Sequence, residues 1–104
     1  MARRLLLVRR AALADRRAYA SELEYLSYGA TLTQVEYALD KADVAAEALR
    51  TFDVNTNGVY VSGDIRPEHS IWDDEPDTGR AYVRQEYALW TSAEGASFSA
   101  WQAP

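Results

Sequence analysis

Apolar positions at the start of the chain recur with helical spacing: Leu5, Val8, Ala12, Tyr19, Leu23 and Leu26 fall close to one stripe. Asp15 and Arg16 interrupt it, so the segment reads as one helix or as two pieces, and Ser21 with Glu24 has the reciprocal capping pattern that permits a restart. Gly29 is expected to end the segment in the left-handed conformation of a helix C-terminus. Thr31 with Gln34, or Thr33 with Glu36, then caps a second helix over about 33–52. Val35, Leu39, Ala42, Ala46, Leu49 and Phe52 give that helix an apolar face, while Asp40, Lys41, Asp43, Glu47 and Arg50 mostly fall opposite. Short side chains at Ala42, Ala45 and Ala46 let a neighbour approach closely. The pattern predicts an antiparallel helical pair over residues 4–52, joined near Gly29.

After Phe52 the pattern changes. Asn57-Gly58 signals a turn, Val59-Tyr60-Val61 is a short β-prone run, and Ser62-Gly63-Asp64 turns again. His69-Ser70-Ile71-Trp72 is expected to be extended, and Glu75-Pro76-Asp77-Thr78-Gly79 has the composition of a hairpin loop. Arg80 to Thr91 fits a strand with Ala81, Val83, Tyr87 and Leu89 inward and Gln85 as the misfit. It also fits a helix with Val83, Tyr87 and Trp90 aligned. The Asp-Thr-Gly turn and the Tyr-Val pair favour the strand. The expected fold class is therefore α+β: the helical pair followed by a small antiparallel β-sheet of about three strands. One domain would span residues 1–104, with a basic arm at 1–20, a helical part at 21–52, a β-rich part at 53–94 and a tail at 95–104. Phe98 and Trp101 in that tail need an anchor on the body or on a partner.

Composition agrees with a single ordered domain: of 104 residues, 48% are apolar and 12% aromatic. Cysteine is absent, which excludes a disulfide framework, thiol catalysis and cysteine-ligated metals. No apolar run approaches the ~18 residues of a membrane span, and no signal-peptide pattern is present, so a cytoplasmic protein is expected. Charge alters the picture more. Residues 1–20 carry six arginines against Asp15 alone, a net +5, whereas residues 21–104 carry five cations against fifteen carboxylates, a net −10. The arginine pairs at 3/4, 9/10 and 16/17 recur about every seven residues, so a helix is expected to carry them as one stripe. That arm either packs on the chain's own acidic body or meets an acidic neighbour. Nucleic acid is disfavoured, because the −10 of the body opposes phosphates.

One local pattern suggests a metal. Asp53-Val54-Asn55-Thr56-Asn57-Gly58-Val59-Tyr60-Val61-Ser62-Gly63-Asp64 places oxygen ligands at loop positions 1, 3, 5 and 12 with glycine at 6. Together with the flank Glu47–Phe52 it resembles an EF-hand over about 25 residues. The resemblance implies a weak calcium site from Asp53, Asn55, Asn57, Asp64 and the carbonyl of Val59, with calcium as the only cofactor. The alternative is a helix end running into an Asn-Gly hairpin.

Trp72-Asp73-Asp74-Glu75-Pro76-Asp77 sets four carboxylates within five residues of one another beside an indole. It reads either as an acidic recognition loop with an aromatic anchor or as a solvated tip with Trp72 turned into the core. Catalytic patterns are missing: His69 is the single histidine, and neither a Gly-x-Ser-x-Gly elbow nor a glycine-rich phosphate loop occurs. The sequence thus points to a non-enzymatic, small acidic protein-interaction module of inhibitor or accessory type. Its expected contact residues are Arg3, Arg4, Arg9, Arg10, Trp72, Asp73, Asp74, Glu75, Asp77 and Trp101. The alternative readings are a structural subunit of a homo-oligomeric or viral-type assembly, whose basic arm docks on a neighbour's acidic body, and a lone calcium-binding module.

Overall fold

The first apolar stripe folds as one unbroken helix, α1 (Ala2–Leu26), followed by α2 (Leu32–Asn55), the single turn α3 (Ile71–Asp74) and α4 (Thr78–Gln102). This computed structural model describes the backbone of residues 2–68, 70–75 and 77–102, with side chains in that range except at 2, 71 and 93–102. Asp15 does not break α1, because its carboxylate turns inward to arginines of α4 rather than to solvent. At α2, Thr31 caps as one of the two expected patterns requires: its hydroxyl accepts from Gln34 N–H while the Gln34 side chain accepts from Thr31 N–H. Arg4, near the start of α1, meets Asp53, near the end of α2, so the two helices run antiparallel.

Both helices close in the same way. Gly29 N–H donates to the Glu24 carbonyl and Tyr28 N–H to that of Tyr25; Gly58 N–H donates to Asp53 and Asn57 N–H to Val54. These are Schellman motifs; the left-handed residue is Tyr28 (φ 65°) in the first, and in the second Asn57 (φ 58°) is followed by Gly58 (φ 68°), also left-handed. Gly29, expected in that conformation, instead stands one position later. A tyrosine in the left-handed region costs about 1–2 kcal/mol, and Tyr28 is 98% exposed, so its ring contributes no packing. Tyr28→Gly is therefore expected to stabilise the fold by about 0.5–1 kcal/mol, net of the greater freedom of glycine when unfolded. Thermal unfolding would show this as a midpoint several degrees higher.

The expected sheet does not form, and no strand occurs among the described residues. Asn57-Gly58 caps α2 instead of turning a hairpin, and Val59-Tyr60-Val61 lies in successive turns held by Val59 N–H to Thr56 and Val61 N–H to Gly58. Of the segment expected to be extended, Ser70 opens the turn into α3, and His69 lies outside the described residues. Residues 80–91 are helical. Tyr82, Val83 and Glu86 fall on one side of α4 and are buried, which the helical period satisfies and an alternating strand would split. The supposed tail continues α4 to Gln102; the side chains of Phe98 and Trp101 lie outside the described residues.

The α1–α2 interface is built largely on small residues, with Ala11, Ala12, Ala18, Ala42 and Ala46 all buried. The N-terminal half of α4 packs against both helices, around Val8, Leu49, Tyr82 and Val83. A side chain at Gly79 would come within 3.2 Å of the Ala46 methyl, so glycine is what lets α4 sit this close to α2. A core so rich in alanine supplies little apolar area, and polar groups take up part of the packing.

Candidate functional site

Two buried ionic nodes and one uncovered face carry the chemistry. In the first node, Arg4 donates Nε to Asp53 Oδ1 at 2.7 Å, Nη2 to Asp53 Oδ2 at 3.0 Å and Nη2 to Glu86 Oε1 at 2.9 Å. The Tyr82 hydroxyl donates to Asp53 Oδ2. Glu86 also accepts the backbone N–H groups of Ser62 and Gly63 at 2.9 and 3.0 Å and the Gln85 side-chain amide at 2.9 Å. Arg4, Asp53, Tyr82 and Glu86 are all buried. The node therefore joins α1, α2, α4 and the 56–70 loop. Gln85 pins that loop further through both the N–H and the carbonyl of Ile65.

Burial works against the Arg4 charge, but the bonds and charges of Asp53 and Glu86 outweigh it and hold the guanidinium above its ordinary range. Burial, then the bond to Asp53 and the carboxylate charges, push the Tyr82 hydroxyl well above the usual tyrosine range, so it remains a donor.

The second node centres on Asp15. Arg80 Nε reaches Oδ1 at 2.5 Å, Arg84 Nε and Nη2 reach Oδ2 and Oδ1 at 2.8 and 3.1 Å, and Arg80 Nη1 also reaches Glu22 at 2.7 Å. Burial pushes the Asp15 carboxyl up, yet Arg84 and Arg80 more than offset it and hold it below the usual carboxylate range.

The uncovered face lies along the groove between α1 and α2. One stretch of about 530 Å³ is lined by Arg10, Leu13, Ala14, Arg17, Tyr37, Lys41, Val44 and Ala48 among others. It adjoins a second stretch of about 590 Å³ that shares Val44 and Ala48 and adds Arg3, Leu7, Glu47 and Phe52. Leu13 is 48% exposed, Tyr37 64% and Val44 70%. Among the described residues, none of α4 lines either stretch.

The basic arm is thereby divided. Adjacent residues on a helix sit about 100° apart, so each arginine pair splits rather than sharing one stripe. Arg4, Arg9 and Arg16 face α4, where Arg9 lies 4.9 Å over Trp90 and Arg16 4.7 Å over Tyr87. Arg3, Arg10 and Arg17 line or border the open groove. Of the residues expected to contact a partner, Arg3, Arg9, Arg10, Asp73, Asp74, Glu75 and Asp77 are exposed, while Arg4 is enclosed by the chain's own acids. Trp72 is anchored internally: its ring packs edge-on to Tyr82, Arg50 lies 4.5 Å above it, and its N–H donates to the Arg66 carbonyl. The Trp101 side chain lies outside the described residues.

The structure does not gather the calcium-loop residues. Helix α2 runs through Asp53 to Asn55, so the first three loop positions are helical, and the Asp53 carboxylate points to Arg4 and Tyr82. Asn55, Asn57 and Asp64 are exposed. Among the described residues, no group of three or more His, Cys, Asp or Glu is placed to hold a metal ion. Among the same residues, no helix is long and apolar enough to cross a membrane.

Sequence reasoning missed Tyr82, Gln85 and Glu86 as a structural node, and Leu13, Arg17, Tyr37 and Val44 as a face. A carboxylate one turn beyond Tyr82-Val83, on the side that faces the core, was the available signal for the node. For the face it was the heptad spacing of Arg3, Arg10 and Arg17. Comparison with protein-family models, with curated proteins and with solved structures finds no match for this chain.

Proposed function

We propose that the chain is a non-enzymatic protein-interaction module that engages its partner through the open α1–α2 face. The observation that carries this reading is the asymmetry of the pair. One side is locked to α4 by two ionic nodes, while the other leaves Leu13, Tyr37 and Val44 in solvent among cations. Contiguous apolar area rimmed by charge is what a docking surface requires. A binding role is also favoured over catalysis by the buried carboxylates, since every oxygen of Asp15, Asp53 and Glu86 already accepts a hydrogen bond from within the chain. The exposed acids at 73–77 form a separate charged surface that would speed encounter with a basic partner.

Placing a photo-crosslinking residue at Leu13 or Val44, and for comparison at exposed Val59 in the loop, tests the reading in the cells that make the protein. Discrete adducts from positions 13 and 44, absent from 59, are the expected result. No adduct at 13 or 44, or equal labelling at all three, overturns it.

A further inference from the structure

We infer that the partner on this face is a second copy of the same chain, with α1 of each copy lying along α2 of the other in a two-fold four-helix bundle. The inference rests on the docking reading above and names its occupant. It follows from the register of the pair. Arg4 meets Asp53, and in antiparallel helices each step up α1 is matched by a step down α2. The residues at one level therefore run Arg10 with Glu47, Leu13 with Val44, and Arg17 with Asp40. Arg10, Arg17, Asp40 and Glu47 are all exposed; Glu47 lines the groove, Asp40 stands at its outer edge, and Lys41 is the one cation of α2 among the described lining residues. Among the described residues no ion pair joins the arginine row to the acid row within one chain; Glu47 makes only a 3.4 Å contact with Arg50 on its own helix.

A two-fold axis parallel to the helices keeps every residue at its level while placing α1 of one copy over α2 of the other. Arg10 and Arg17 of each copy then run beside Glu47 and Asp40 of its mate, and Leu13 meets Val44. The competing two-fold axis, across the helices, would stack α1 on α1 and set arginine rows against each other. Like charges facing one another select against that arrangement. The size also suits. A helix of 24 residues is about 36 Å long, and two helices side by side present about 20 Å of width. The face is thus on the order of 700 Å² per copy, close to the ~800 Å² of a standard stable interface. Burial of Leu13, Tyr37 and Val44 supplies the affinity, and the charge rows fix orientation.

Light scattering and sedimentation equilibrium on the purified chain test this directly. The expected mass is twice the 11.7 kDa chain, with dissociation rising in high salt because the rows are exposed pairs. Arg10→Glu with Arg17→Glu, and separately Asp40→Arg with Glu47→Arg, should each weaken the dimer about 100-fold. Mixing the two variants should restore a heterodimer, since both cross-pairings become complementary again. All four positions are exposed, so far-UV circular dichroism should stay helical. A wild-type chain that remains monomeric at millimolar concentration overturns the inference, as do masses beyond the dimer or folded variants that fail to recombine. A monomer that still gives adducts to another protein from positions 13 and 44 removes self-pairing and leaves the docking reading intact. Loss of those adducts removes both.

Discussion

Arg4→Met is expected to cost about 3–5 kcal/mol of stability, enough to unfold a domain of ordinary margin. The guanidinium is the one cation of its node and serves two carboxylates, Asp53 at 2.7 Å and Glu86 at 2.9 Å. Methionine would fill most of the volume but leave two acids enclosed without a counter-charge. Those acids must then protonate or drag water inward, and either route loosens α1 from α2 and α4 together. Chemical denaturation followed by circular dichroism measures the loss, and a midpoint unchanged from wild type would show that the node carries little of the fold. Arg3→Met, one residue away on the open face, provides the control and should fall within about 0.5 kcal/mol of wild type.

Glu86→Gln is expected to be nearly as damaging, at about 2–4 kcal/mol, although it changes one atom and removes one charge from a node with an excess acid. The reason is donor geometry. Oε1 accepts from Arg4 and Ser62 N–H, and Oε2 accepts from Gly63 N–H and the Gln85 amide. An amide nitrogen in either position faces two donors with no acceptor between them. Asp53→Asn should cost less, because the Tyr82 hydroxyl can rotate and accept from an amide nitrogen at the Oδ2 position, leaving one opposed donor, Arg4 Nη2, where the Glu86 amide opposes two. An Asp53→Asn variant less stable than Glu86→Gln would overturn this account. Glu86→Gln should also free the 56–70 loop, read as faster amide exchange at Ser62, Gly63 and Ile65, while the Asp53 variant leaves those amides protected.

How much of this could be read from residues alone differs by element. Helices α1 and α2 stand where the apolar period and the Thr31 cap place them, because each buries a seam of small and apolar residues. Helix α4 was misassigned for a physical reason. Tyr82 and Val83 have β preferences, and the residue completing their buried side is Glu86, which hydrophobicity counts as outward-facing. Local preference yielded to tertiary packing. Asn57-Gly58 carried the right conformation and the wrong context, since a left-handed Asn serves a helix end as well as a hairpin. The ionic nodes were invisible for another reason: Arg4 finds its acids 49 and 82 residues away, and no local spacing encodes that. The open face was half legible, in the seven-residue recurrence of arginine, but which member of each pair points outward depends on where α4 lies.

The same long reach governs how the chain is made. A ribosome adding about 5–20 residues per second joins Asp53 roughly 2–7 seconds before it joins Glu86. During that interval the nascent chain holds the arginine and the aspartate of the node but lacks the glutamate that completes their surroundings. Native order can therefore be reached only once α4 has been made and has settled across the first two helices.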